Sequence, residues 1–146
     1  MTAAGGTVTA VTFLWLGMVF AISFLEAPLK FRAPGVTLPI GLGIGRLVFR
    51  ALNACELAWA AAIVIAVALG SFSGATIPLA AGVAVVTLVL QLVGVRPILT
   101  RRSNRVLAGH DGPRSHAHLV YVGLEVVKVG ALIWLGIAVL STPALP

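Results

Sequence analysis

The sequence predicts an all-α fold: an integral membrane protein built as a four-helix bundle. Of its 146 residues, 60% are hydrophobic and only 10% are charged, and the mean hydropathy is +1.10. A soluble domain carries roughly 25% charged residues, because its surface must be solvated. Four apolar stretches are long enough to cross a hydrocarbon core of about 30 Å as helices. No alternation of apolar and polar residues favours strands.

The four predicted spans cover 8–31, 47–69, 77–95 and 119–140, and residues 1–146 form one transmembrane domain. We expect the first span to remain in the mature protein and not to be a signal peptide, since no positive charge precedes it and its apolar run is too long. The segment before the second span either lies in the interface or starts that helix early at Pro39, because proline is favoured in a first helical turn. Pro28 and Pro97 are expected to end or kink the first and third helices.

Basic residues are confined to one side of the predicted membrane topology. The first and third connections and their flanks contain nine of the ten: Lys30, Arg32, Arg46, Arg50, Arg96, Arg101, Arg102, Arg105 and Arg114. Lys and Arg in short loops are retained on the cytoplasmic side. We therefore expect an integral protein of the bacterial inner membrane with both termini outside. The net charge of +6 indicates contact with anionic lipids and not with nucleic acid, since no aromatic interleaving or binding motif accompanies it.

The third connection contains all three histidines of the chain. His110, His116 and His118 lie near Asp111, and these side chains are suitable ligands for zinc, copper or nickel. They do not form a complete metal motif, however, and His116 and His118 would point in nearly opposite directions on a helix. We predict no metal site and no cofactor, with the histidines at the lipid headgroups.

Ionisable side chains inside the spans are the strongest functional signal. Glu26, Glu56, Glu125 and Lys128 all fall within predicted transmembrane helices. An isolated ionised group at the bilayer centre costs at least about 2.5 to 3.5 kcal/mol, so such groups face the bundle interior and find partners. Helical periodicity places them on polar stripes of the second and fourth helices. The predicted charged pocket, open to the cytoplasm, is lined by Glu26, Asn53, Glu56, Tyr121, Glu125 and Lys128, with Arg46 and Arg50 at its cytoplasmic end.

Two functions are compatible with this pattern. The pocket can bind or transport a small polar solute, a cation or a proton. Alternatively the charges only fix helix packing in a structural or assembly subunit, with Glu26 paired to Lys30, Glu125 to Lys128, and Glu56 to an arginine. The expected partners are the lipid bilayer, further copies of the chain in a homo-oligomer, and a small polar ligand. The pattern assigns no catalytic residue.

A weak internal duplication suggests two parallel helical hairpins. Residues from 47 onward match those from 119 onward at an offset of 72, which places Glu56 over Lys128. Pro28 matches Pro97 at an offset of 69. Such a repeat is related by an axis along the membrane normal, so the polar stripes of the second and fourth helices would face each other.

The stretch from residue 15 to residue 53 resembles an uncharacterised bacterial family of small four-helix membrane proteins. That family is akin to the eukaryotic transmembrane protein associated with cisplatin resistance. The motif APLKFR, a glycine-bearing loop and the motif GRLVF before an asparagine carry the resemblance, mainly at Pro28, Phe31, Arg32, Gly45 and Phe49. It implies the four-helix architecture and no settled activity.

The motif RLVFRALNACE is similar to the second-helix signature of the membrane-associated eicosanoid and glutathione metabolism proteins. The resemblance implies that Arg46, Arg50, Asn53 and Glu56 help to hold glutathione between subunits of a trimer. Arg50 stands three residues before the asparagine, where that family has four. A glutathione-dependent membrane enzyme is therefore the third function that the sequence suggests.

Overall fold

The chain folds into four long helices in a computed structural model that describes residues 2–110 and 116–142. They are α1 (Ala3–Arg32), α2 (Leu38–Leu69), α3 (Thr76–Leu107) and α4 (His116–Leu140), each long and apolar enough to cross a membrane. The described residues contain no strand. The prediction of an all-α, membrane-spanning four-helix bundle is confirmed.

Each helix packs against its neighbours in the chain, and α1 also packs against α4, so the bundle closes in up-and-down order. The core is apolar over most of its length, and Trp15, Ile63, Leu132 and Leu135 are fully buried in it. Large apolar side chains also cover the outside of the bundle. A surface of this kind is suited to lipid and not to water.

The helices extend beyond the predicted spans mainly at one end of the bundle. Helix α2 begins at Leu38 with Pro39 in its first turn, which confirms the early start. Helix α3 continues to Leu107, whereas its predicted span ends at residue 95. The segment Arg96–Leu107 is polar yet helical, so α3 continues past the apolar run because hydropathy reports burial in lipid and not the end of a helix.

The prolines of α1 and α3 do not end these helices. Each follows a π-helical segment, Phe20–Glu26 in α1 and Leu90–Val95 in α3. The residue before each proline donates its N–H to a carbonyl five positions back, Ala27 to Ile22 in α1 and Arg96 to Gln91 in α3. A wider turn of this kind accommodates a proline, which lacks an N–H and crowds the carbonyl four residues earlier.

The internal duplication is visible in the packing of α1 and α3. The buried positions 8, 11, 12, 15 and 19 of α1 correspond, at an offset of 69, to the buried positions 77, 80, 81, 84 and 88 of α3. The π-helical segments also lie at matching positions. Helices α1 and α3 thus bury equivalent positions, and the up-and-down packing order relates the hairpins α1–α2 and α3–α4 by an approximate twofold axis, here called the pseudo-twofold axis.

The two ends of the bundle differ in charge. The basic end is where α1 and α3 finish and α2 and α4 begin, and it carries every described Lys and Arg except Lys128. The neutral end holds the first described residues, the connection 70–75 and the end of α4, and its described residues include no charged side chain.

Candidate functional site

A set of charged and amide side chains is buried at the centre of the bundle. We call Glu56, Gln91, Glu125 and Lys128 the charge network; each is at most 1% exposed. The Lys128 ammonium pairs with Glu56 Oε1 and, at 3.1 Å, with Glu125 Oε2. It also donates to Gln91 Oε1 at 2.8 Å. Lys128 therefore joins the side chains of three helices.

Further hydrogen bonds connect the network to α1 and to the backbone of α4. The Trp15 indole donates to Glu56 Oε1 at 3.0 Å, and the Ser23 hydroxyl donates to Glu125 Oε1 at 2.7 Å. The Gln91 amide donates to Glu125 Oε2 and, at 3.5 Å, to the Tyr121 carbonyl. All four helices thus contribute side chains to one hydrogen-bonded unit.

The charges of this network do not balance. It contains two carboxyl groups and one ammonium group, so with all three ionised it carries one negative charge in excess. Glu56 Oε2 is sealed from solvent and has no hydrogen-bond partner among the described residues. An uncompensated buried charge costs several kcal/mol. The network therefore calls for one more positive charge, and the free carboxylate oxygen is the place with capacity for it.

The network is closed to both ends of the bundle in this conformation. Glu56 and Lys128 are fully buried, and Glu125 is 1% exposed. The described surface grooves are apolar and shallow, and their lining residues lie on α2 and α3 toward the neutral end, outside the network. The charge network is thus a packed unit that is sealed from solvent.

A second cluster lies nearer the basic end. We define the Phe49 cluster as Lys30, Phe49, Arg96 and Tyr121, one residue from each helix. The Lys30 ammonium lies 5.7 Å and the Arg96 guanidinium 5.8 Å from the centre of the Phe49 ring. The Tyr121 ring packs edge-on against Phe49, with 5.8 Å between centroids. Phe49 and Tyr121 are 72 residues apart, as are Glu56 and Lys128, so both contacts lie on the pseudo-twofold axis.

The structure brings together half of the predicted pocket residues. Glu56, Glu125 and Lys128 belong to the network, and Tyr121 borders it through its carbonyl, which accepts from Gln91. The other two predicted residues lie apart from it. Glu26 pairs with Lys30 at 3.3 Å, and Asn53 is half-buried with no described side-chain hydrogen bond.

Two of the three predicted ion pairs are confirmed, Glu26 with Lys30 and Glu125 with Lys128. The prediction of an arginine partner for Glu56 was wrong. Its partner is Lys128 on the opposite helix, because α4 faces Glu56 across the core. Arg46 turns instead toward α3 and bonds to Ser103 and Asn104, and Arg50 is exposed.

Sequence reasoning missed three members of this arrangement, Trp15, Ser23 and Gln91. Gln91 had a visible signal, since it is the only glutamine of the chain and lies in the middle of an apolar run. A buried amide needs hydrogen-bond partners as surely as a charge does. Trp15 and Ser23 gave no comparable signal, because their roles depend on the rotation of α1 against its neighbours.

Comparison with protein-family models, with curated proteins and with solved structures found no match to this chain. The two family resemblances therefore stay expectations from the sequence. The four residues similar to a glutathione site are not gathered into one site within the described chain, since Glu56 is buried in the core while Arg50 is exposed. Among the residues that the structure describes, no group of three His, Cys, Asp or Glu side chains is arranged to hold a metal ion.

Proposed function

We propose that the protein binds a proton at the charge network and moves it across the membrane, alone or together with a small solute. The observation that carries this proposal is the excess carboxylate in a sealed site, with Glu56 Oε2 unpartnered. Ionisable groups inside a membrane bundle are typical of proton and ion pathways.

A proton suits the network better than a metal cation does. The Lys128 ammonium already occupies the space between Glu56 and Glu125, so a second cation there would be repelled. A metal ion such as Ca²⁺ also needs about six to eight oxygen ligands, whereas the network has one free oxygen. A proton on a carboxyl group removes the excess charge without requiring additional space.

Movement of the proton requires Lys128 to change partners. Its ammonium contacts both carboxyl groups, and Gln91 both accepts from Lys128 and donates to Glu125. Protonation of either carboxyl group would weaken its ion pair and favour the other one.

The positive-inside rule puts the basic end in the cytoplasm and both termini outside, in a bacterial inner membrane.

A structural role is the second candidate, and one observation favours it. The network joins all four helices, and nearly all of its polar atoms are already paired. Such a unit can fix helix register without carrying anything. The two candidates differ in what the titratable group of Glu56 does, since a scaffold needs only its hydrogen bonds.

Proton flux into liposomes separates these candidates. The purified protein is reconstituted with an internal pH dye, and a pH gradient is applied to wild type, Glu56→Gln and the control Glu26→Gln. Gln keeps the size and hydrogen bonding of Glu but has no titratable proton. We expect flux to be lost in Glu56→Gln and kept in Glu26→Gln, which lies outside the network. Wild-type flux no higher than that of empty liposomes, both without added solute and with phosphate in the external buffer, or unchanged flux in Glu56→Gln, would leave the structural role.

A further inference from the structure

We infer that the Phe49 cluster is a binding site for a small oxyanion, a carboxylate or a phosphate group. Two cations from different helices, Lys30 of α1 and Arg96 of α3, converge on one aromatic ring at 5.7 and 5.8 Å. Among the described residues, the basic end contains one carboxylate, Glu26, and it is paired with Lys30. Positive charge therefore remains in excess around Phe49.

Arg96 is the main reason to expect a ligand. Arg96 is half-buried, its guanidinium lies over the Phe49 ring, and it makes no hydrogen bond or ion pair within the described part of the chain. A guanidinium presents five N–H donors in a planar fork that matches a carboxylate or a phosphate in bidentate geometry. Donors at the membrane boundary without a protein acceptor are available to an anion.

Tyr121 is an independent observation at the same place. Its side chain is 7% exposed, its hydroxyl has no hydrogen-bond partner among the described residues, and its ring packs against Phe49. Buried polar atoms are satisfied in the large majority of cases. The unpaired Tyr121 hydroxyl therefore indicates that an acceptor completes the site.

The donor set determines the chemical class of the ligand. Lys30 and Arg96 only donate, and the Tyr121 hydroxyl is a donor without an acceptor. A metal cation would be repelled, whereas an oxyanion has both the charge and the acceptor atoms. The oxyanion can come from free solution or from a lipid headgroup, and the two sources share this chemistry.

The role of this site in a transport cycle rests on the proposed function. The Tyr121 carbonyl accepts from Gln91 of the charge network, so the same residue borders both sites. A small anion bound at the Phe49 cluster would then be the solute that moves with the proton. Binding of the anion itself does not depend on proton movement and can be measured separately.

The test measures thermal stabilisation of the full chain in nanodiscs of zwitterionic lipid. Inorganic phosphate, acetate and chloride are titrated at equal ionic strength into wild type, Arg96→Gln, Tyr121→Phe and the control Arg101→Gln, an exposed arginine on the same helix. We expect phosphate or acetate, but not chloride, to raise the melting temperature of wild type and of Arg101→Gln. The apparent Kd should rise at least about tenfold in Arg96→Gln and less in Tyr121→Phe, because a bond to a charged donor is the stronger one.

A second arm distinguishes the two sources of the oxyanion. If phosphate and acetate have no effect, but nanodiscs with anionic lipid stabilise wild type and Arg101→Gln and not Arg96→Gln, the ligand is a lipid headgroup. The site is refuted if no oxyanion stabilises the chain. It is also refuted if Arg101→Gln weakens anion binding as much as Arg96→Gln does. Phosphate binding that persists in a protein without proton flux would refute the proposed function and leave this site standing.

Discussion

Replacing Lys128 by Met removes the only cation of the charge network. The substitution keeps an unbranched side chain that is one atom shorter, but it leaves Glu56 and Glu125 without their shared partner and removes the hydrogen bond to Gln91. All of these groups are sealed from water. Lys128→Met is therefore expected to be far more destabilising than an ordinary lysine substitution.

The magnitude follows from the number of orphaned groups. Breaking a buried ion pair by removing one partner costs about 3 to 5 kcal/mol, whereas replacing the whole set by neutral residues is often close to neutral. The triple variant Lys128→Met, Glu56→Gln, Glu125→Gln should thus recover most of the loss. For a chain of this size, a loss of about 4 kcal/mol lowers the melting temperature by roughly 10 °C.

The assay is thermal unfolding of the purified variants in one detergent, with Lys30→Met as the control. Lys30 forms an i,i+4 pair with Glu26; the Lys30 side chain is 10% exposed and the Glu26 side chain is 32% exposed. Because the Glu26 carboxylate that is left behind is in contact with water, the control should lose much less stability than Lys128→Met. It makes the same chemical change at a site where solvent can screen the charge that is left behind.

The reasoning would be refuted by either of two results. If Lys128→Met melts as close to wild type as the control does, the network carries no buried, unbalanced charge. A triple variant no more stable than the single one would mean that the loss comes from packing around Lys128. In that case the two carboxyl groups and the ammonium would not be energetically coupled.

Three further predictions follow from the fold. Reporters fused after Ser73 and Pro146 should be active only when exported, and cytoplasmic activity at either would place the basic end outside. Gln91→Leu should lower the free energy of unfolding by about 1 to 3 kcal/mol in chemical denaturation, because it removes hydrogen bonds inside the network but leaves the ion pairs; an unchanged value would contradict the described bonds. Gly70→Ala should lower the melting temperature, since the added methyl group would lie 2.8 Å from a backbone oxygen. Gly82→Ala should not lower it, because its methyl group would meet open space. Equal effects would show that the close contact at Gly70 is not limiting.

The membrane helices could be predicted from the sequence because hydropathy and length are local properties. The pairing of Glu125 with Lys128 was also accessible, since residues three apart share a helix face. The partner of Glu56 was not, because it depends on how α2 and α4 are rotated about their own axes. Only the internal repeat, which places Glu56 over Lys128, gave an indirect indication that these side chains meet.

The burial of the site away from solvent could not be predicted from the sequence for a different reason. Polar stripes on α2 and α4 predict an open pocket if each stripe is considered alone. In the folded bundle Trp15 and Ser23 of α1 and Gln91 of α3 fill the space between the stripes and bond to their carboxyl groups. Neutral side chains on two other helices thus convert a potential cavity into a packed unit.

The pseudo-twofold axis has a consequence for assembly. Because Glu56 and Lys128 occupy equivalent positions in the two hairpins and meet on this axis, a hairpin that paired with a copy of itself would bring two carboxylates or two ammonium groups together. Like charges in a low-dielectric interior repel strongly. The opposite charges therefore select for association of unlike hairpins, and they disfavour exchange of a hairpin between neighbouring chains. The opposite charges at the centre of the network thus favour pairing of the two unlike hairpins of one chain over pairing of like ones.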